Sequence, residues 1–134
     1  MEILIAMVDF AVLDYKSLIQ STELYDGLFG GFIWSHIPIE ELVEFIRIML
    51  LQVQPGGQMV FIDNLYVEGN STPISRFDQK GNGYQNRTLT NGDTYEVIKN
   101  YPQENELSVL FESFDVDIKW TEFDYYWILD IKKF

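Results

Sequence analysis

An open α/β sheet with an antiparallel end is predicted by three features of this 134-residue sequence. An apolar run, an amphipathic helical stretch and a second apolar run follow one another with short joints, the order of a βαβ unit. Asn91-Gly92 lies between two strand-like runs and is a strong hairpin signal. Two further strand-like runs close the sequence, and their short joint implies an antiparallel pair.

The elements are justified in chain order. Residues 8–13 read as a short strand ending in Asp14. Residues 24–27 are turn-like, and the apolar run 28–34 suits a strand buried on both faces, as in parallel sheets. Gly30 and Gly31 weaken that strand and make sense where a ligand or another backbone approaches closely. Pro38 is tolerated in a first helical turn, and Glu40 and Glu41 sit where the helix dipole favours acids. Ile39, Leu42, Val43, Ile46, Met49 and Leu50 form one apolar stripe at helical spacing. Pro55-Gly56-Gly57 is expected to stop that helix and turn the chain. Residues 59–62 form the next buried strand, ending in Asp63 and Asn64.

From 65 to 102 the pattern becomes rich in Gly, Asn and Thr, with 84–89 and 94–98 as the hairpin arms. An elaboration of this length after a parallel strand is often a lid or a substrate wall. Residues 104–114 read as a second helix with Leu107, Leu110, Phe111 and Phe114 on one side. Residues 117–122 and 126–131 are the closing strands. The whole of 1–134 is expected to be one domain, with 65–102 as an inserted loop and hairpin.

Composition narrows the function. A hydrophobic fraction of 47% with 16% aromatics is enough for a core and argues against disorder. No apolar run approaches the roughly 18 residues of a membrane span, and the apolar start 1–7 carries Glu2 without a basic flank, a poor signal peptide. With no cysteine there are no disulfides, thiolate metal sites or cysteine nucleophiles, which fits a cytoplasmic protein. The net charge of -12 repels phosphate backbones and argues against nucleic-acid binding. It suits a small neutral or cationic substrate better. One histidine without a cluster of acids offers no metal site.

Several segments together resemble one family. Tyr25-Asp26-Gly27-Leu28-Phe29, Ser35-His36-Ile37-Pro38, and Gln54-Pro55-Gly56-Gly57 followed by Met59-Val60-Phe61-Ile62-Asp63-Asn64 resemble class I S-adenosylmethionine-dependent methyltransferases. The insert, with Tyr66-Val67-Glu68-Gly69 and Lys99-Asn100-Tyr101-Pro102, resembles a bacterial subgroup of that family. Pro-Gly-Gly alone is common, whereas the ordered set is specific and covers nearly the whole chain. The family's first strand with its Gly-x-Gly-x-Gly turn, and its second strand ending in a ribose-binding acid, have no counterpart in the sequence. The resemblance therefore implies an incomplete Rossmann-like sheet entered at the family's third strand.

The resemblance also assigns residues, each with a structural alternative. Asp14, with Tyr15 beside it, takes the place of the acid that reads the adenine amino group; as a structural residue it would cap a helix. Gly31 and Trp34, with Phe32 between them, would line the methionyl part of S-adenosylmethionine at the carboxyl end of their strand, or else serve packing. His36 would take a proton from the acceptor as general base, or cap and pack. Asp63 and Asn64 would orient the acceptor, or be plain strand-end polarity. Arg76, Tyr84 and Arg87 in the insert would touch an anionic or aromatic acceptor, or form a solvated face.

The activity implied is transfer of a methyl group to an O, N or C atom of a small molecule that the sequence does not identify. Loss of the family's first two strands would leave the 28–34 strand as an open edge. That edge is expected to pair with another copy or a complementing chain, or to capture residues 8–13, and cofactor affinity is expected to be weak. The competing expectation is a non-catalytic remnant acting as an interaction or oligomerisation module.

Overall fold

Met59, Phe61 and Asp63 are buried while Val60 and Ile62 between them are half-buried; Trp127, Leu129 and Ile131 alternate in the same way with Ile128 and Asp130. A period of two puts one face of a strand pair into a core. The structure, a computed structural model, describes residues 7–134. The core built on that face is completed by β1 (Tyr25–Gly31), β2 (Val53–Asn64), α1 (Leu42–Leu51), α2 (Glu104–Leu110), β6 (Val116–Glu122) and β7 (Tyr126–Lys133). Between β2 and α2 lie β3 (Arg76–Phe77), β4 (Gly83–Thr88) and β5 (Thr94–Ile98).

The main sheet runs β1-β2-β7-β6, with β1 and β2 parallel and the other pairs antiparallel. This is the predicted α/β sheet with its antiparallel end. β3, β4 and β5 form a separate antiparallel sheet, and Gly92 turns the β4–β5 hairpin at φ 91°. A left-handed φ of this kind is what Asn-Gly loops supply. The 65–102 region is fastened to the segment after β1 through Asn100, whose N–H donates to the Ser35 carbonyl at 2.8 Å, and Asn82, whose Oδ1 accepts from Ile39 N–H at 2.8 Å.

Three local expectations are corrected. Residues 8–13 form no strand: they are exposed and lead into a 3-10 helical turn, Tyr15–Gln20. The expected capture of this segment by the β1 edge does not occur either. The strand beginning the βαβ unit is shifted toward the N-terminus and ends at Gly31, because Phe32 adopts φ 58° and the chain then enters a 3-10 turn at Trp34–His36. Pro55-Gly56-Gly57 does not stop α1, which ends at Leu51; it forms a bulge inside β2, where the register jumps from Tyr25↔Val53 to Gly27↔Gln58. The reading of residues 1–6 lies outside the described residues.

The bulge explains its glycine. A Cβ on Gly57 would lie 2.7 Å from the Asp26 carbonyl oxygen and 2.9 Å from that of Gln54, with Val53 also in overlap. Backbone oxygens cannot rotate away, so Gly57→Ala is expected to cost about 2 kcal/mol or more, read as a lowered thermal midpoint. An unchanged midpoint would mean that the bulge adapts.

Candidate functional site

The parallel strands end side by side, Gly31 opposite Ile62, and ligands on open α/β sheets dock beyond such carboxyl ends. At the end of β2 the chain builds a cleft of about 340 Å³, within the range of small-molecule sites. Asn64, Lys99, Gln85, Arg87, Tyr101 and Tyr126 are among its walls, and its lining is mainly polar. One wall belongs to the main sheet and the other to the insert.

Lys99 joins the two. It is only 4% exposed and follows β5, yet its Nζ donates to Ser35 Oγ at 2.9 Å, Asn64 Oδ1 at 3.0 Å and Asp63 Oδ1 at 3.2 Å. Asp63 is fully buried and also accepts from the backbone N–H of Ser35 (2.9 Å) and Asn64 (2.8 Å). Ammonium and carboxylate thus neutralise each other out of water, with hydrogen bonds satisfying both. Asp63 is consequently consumed inside the protein, while Asn64 remains at the cleft. Lys99 had not been singled out as a site residue. Its signal was faint: a cation after the strand-like run of residues 94–98 in a chain with nine cations in all.

His36 is exposed, and its Nδ1 lies 2.6 Å from the Ile98 carbonyl oxygen. A carbonyl can only accept, so Nδ1 donates here, and the neutral tautomer compatible with that contact has its lone pair on Nε2. Trp34, by contrast, is 2% exposed. Its ring packs against Phe45, Phe61, Phe111 and Trp127, with centroids 5.2–6.4 Å away. It is a core residue and does not form the wall expected of it. Phe32 is half-exposed and edge-on to Tyr126 at 5.9 Å. It is the one non-glycine with positive φ among the described residues, a conformation that clusters at functional sites. Gly31 ends β1 directly before it.

Of the site residues expected from the sequence, only Asn64 and Arg87 are among the cleft walls; Gly31 and His36 lie outside that lining, and the remaining ones are engaged elsewhere. Asp14 caps the 3-10 turn, accepting from Lys16 N–H at 3.0 Å. Tyr15 packs edge-on against Phe45 at 5.1 Å, and burial pushes its phenol pKa up. Arg76 is forked on Glu96 and lies 3.8 Å from the Tyr84 ring, while the Tyr84 hydroxyl donates to Asp78 at 2.9 Å. The hydrogen bond to Asp78 raises the Tyr84 phenol. Both side chains are thereby occupied within the insert.

The fold is that of class I S-adenosylmethionine-dependent methyltransferases. DhpI, solved with SAM and HEP, aligns with a TM-score of 0.66 at 20% identity, over 85% of this chain and 54% of that protein. A SAM-dependent methyltransferase from Clostridium acetobutylicum aligns with a TM-score of 0.61 at 13% identity, over 92% and 63%. The glycopeptide N-methyltransferase MtfA, solved with S-adenosylhomocysteine, gives 0.59 at 11% identity, over 87% and 58%. The chain therefore spans between half and two-thirds of the length of these proteins. No family model matches it, and no curated protein matches it in sequence. Among the described residues no helix is long and apolar enough to cross a membrane.

Proposed function

We propose that this chain is the acceptor-binding, C-terminal part of an S-adenosylmethionine-dependent methyltransferase that methylates an O, N or C atom of a small molecule. The observation that carries the reading is the polar cleft at the carboxyl end of β2, on a sheet ordered β1-β2-β7-β6. S-adenosylmethionine supplies an activated methyl group, so the protein's task is mainly alignment and exclusion of water. His36 is the proton acceptor for the nucleophile, its Nδ1 held by Ile98 so that Nε2 keeps its lone pair. Asn64 orients the acceptor, and Gly31 with Phe32 forms the boundary toward the cofactor.

The residues present do not fit a complete cofactor site. Asp14 caps a 3-10 turn, the Tyr15 hydroxyl is buried and Trp34 is in the core. Cofactor binding accordingly depends on a glycine-rich strand–turn–helix half beyond these elements. Isothermal titration of the isolated chain with S-adenosylmethionine is expected to show no binding at about micromolar Kd. Fusing a glycine-rich methyltransferase half ahead of residue 7 should bring binding into that range. Micromolar binding by the chain alone would contradict this division of labour.

A second reading has its own support. Phe29 is 70% exposed on β1, which pairs on one side only among the described residues, so the edge invites strand addition and an interaction or oligomerisation role. Failure of the fusion to bind cofactor, with a chain that sediments as a dimer, would favour that reading.

A further inference from the structure

Three arginines are available to a chain with 21 acidic residues. Arg47 is forked on Glu44 and Arg76 on Glu96. Arg87 has no carboxylate partner among the described residues, although acids outnumber bases more than twofold. Its side chain lines the cleft, and so does no acidic residue.

The arginine is also held in place. Gln85 is 2% exposed, and its Nε2 donates to the Thr72 carbonyl at 2.8 Å and to the Tyr101 hydroxyl at 3.1 Å. That fixes the amide orientation and leaves Oε1 to accept from Arg87 Nη2 at 3.0 Å. Arg87 Nε is shielded from solvent and meets no acceptor. The other cation of the cleft, Lys99, is already neutralised by Asp63 at 3.2 Å. One positive charge is therefore left uncompensated, on a planar fork suited to paired oxygens.

We propose that the cleft recognises its acceptor through an oxyanion, a carboxylate or a phosphate, with Arg87 as the residue that receives the charge. The inference rests on the reading of this cleft as the acceptor site. It narrows the expectation of an anionic or aromatic acceptor at Arg87 to an anion, and sets aside, for the cleft itself, the neutral or cationic substrate drawn from the net charge of -12. An acidic surface and a single guanidinium without a carboxylate partner in a recess together make anion capture local: the surface repels, and the cleft holds.

The test follows the arginine Nε–H signals of the full chain by NMR, with sodium benzoate in one arm and inorganic phosphate in the other. Sodium chloride holds ionic strength constant. Shielding of Arg87 Nε from solvent slows its exchange and favours a visible signal. That signal is expected to shift saturably with at least one anion, in the roughly millimolar range of a single charge-assisted contact, while the Arg47 and Arg76 signals move little. The arm with the tighter response identifies carboxylate or phosphate. Arg87→Gln, followed through the backbone amides around the cleft, should weaken binding about tenfold or more, and Arg87→Lys should fall between the two. Absence of a saturable shift in both arms, or equal binding by Arg87→Gln, would overturn the proposal. The titration contains no S-adenosylmethionine, so failure of the methyltransferase reading shows in the cofactor titration and not here.

Discussion

Trp34→Ala is expected to cost about 3–5 kcal/mol, a large share of the total stability of a domain this size. The indole is 2% exposed and meets four aromatic rings from four different elements or loops: Phe45 on α1, Phe61 on β2, Phe111 after α2 and Trp127 on β7. Removing it leaves a void bounded by rigid rings, which cannot collapse into the space. Trp34→Phe should cost far less, about 1–2 kcal/mol, because a phenyl ring keeps most of those edge contacts. The indole Nε1 has no hydrogen-bond partner, so the smaller ring forfeits no polar contact. Urea unfolding followed by far-UV circular dichroism measures both without interference from the other tryptophans. A side chain that merely walled a cofactor would give an Ala variant of unchanged midpoint, and that result would remove Trp34 from the core.

Trp34 also shows where the sequence is readable and where it stops. The run of residues 28–34 announced a strand end with aromatics, but not which aromatic turns inward. That choice is made by Phe32 at φ 58°, a backbone state that no local pattern advertises for a bulky residue. The Asn91-Gly92 hairpin and the closing pair β6–β7 were legible because turn chemistry and period-two patterning are local. Residues 8–13 carry strand-like apolar residues, but a strand exists only where it pairs with an edge, and they leave the open edge of β1 unpaired. Pro55-Gly56-Gly57 has the composition of a helix stop, whereas its bulge depends on the facing strand, which overlaps any side chain at Gly57. The cleft was the least legible part. Asp63 and Lys99 are 36 residues apart, and their pairing follows from how the insert folds back over Ser35.

That pairing carries the second large effect. Lys99→Met leaves the Asp63 carboxylate buried with its two backbone donors but no countercharge, and Asp63→Asn leaves the Lys99 ammonium with two neutral oxygens. Each is expected to cost about 3–5 kcal/mol, the penalty of an unpaired buried charge. Combining them removes both charges, so the double variant should lose less than the sum by about 2 kcal/mol or more. Some loss should persist, because an amide at position 63 has one oxygen for the two N–H groups of Ser35 and Asn64 that the carboxylate now serves. Urea unfolding of the three variants gives the cycle, and strictly additive losses would show that the two groups are not energetically coupled. The cycle bears on the cleft as well. If Asp63 already cancels Lys99, removing both charges leaves the field at Arg87 nearly unchanged. The anion response at the Arg87 Nε–H should then survive in the double variant, whereas Lys99→Met alone, which uncovers the Asp63 charge beside the cleft, should weaken it.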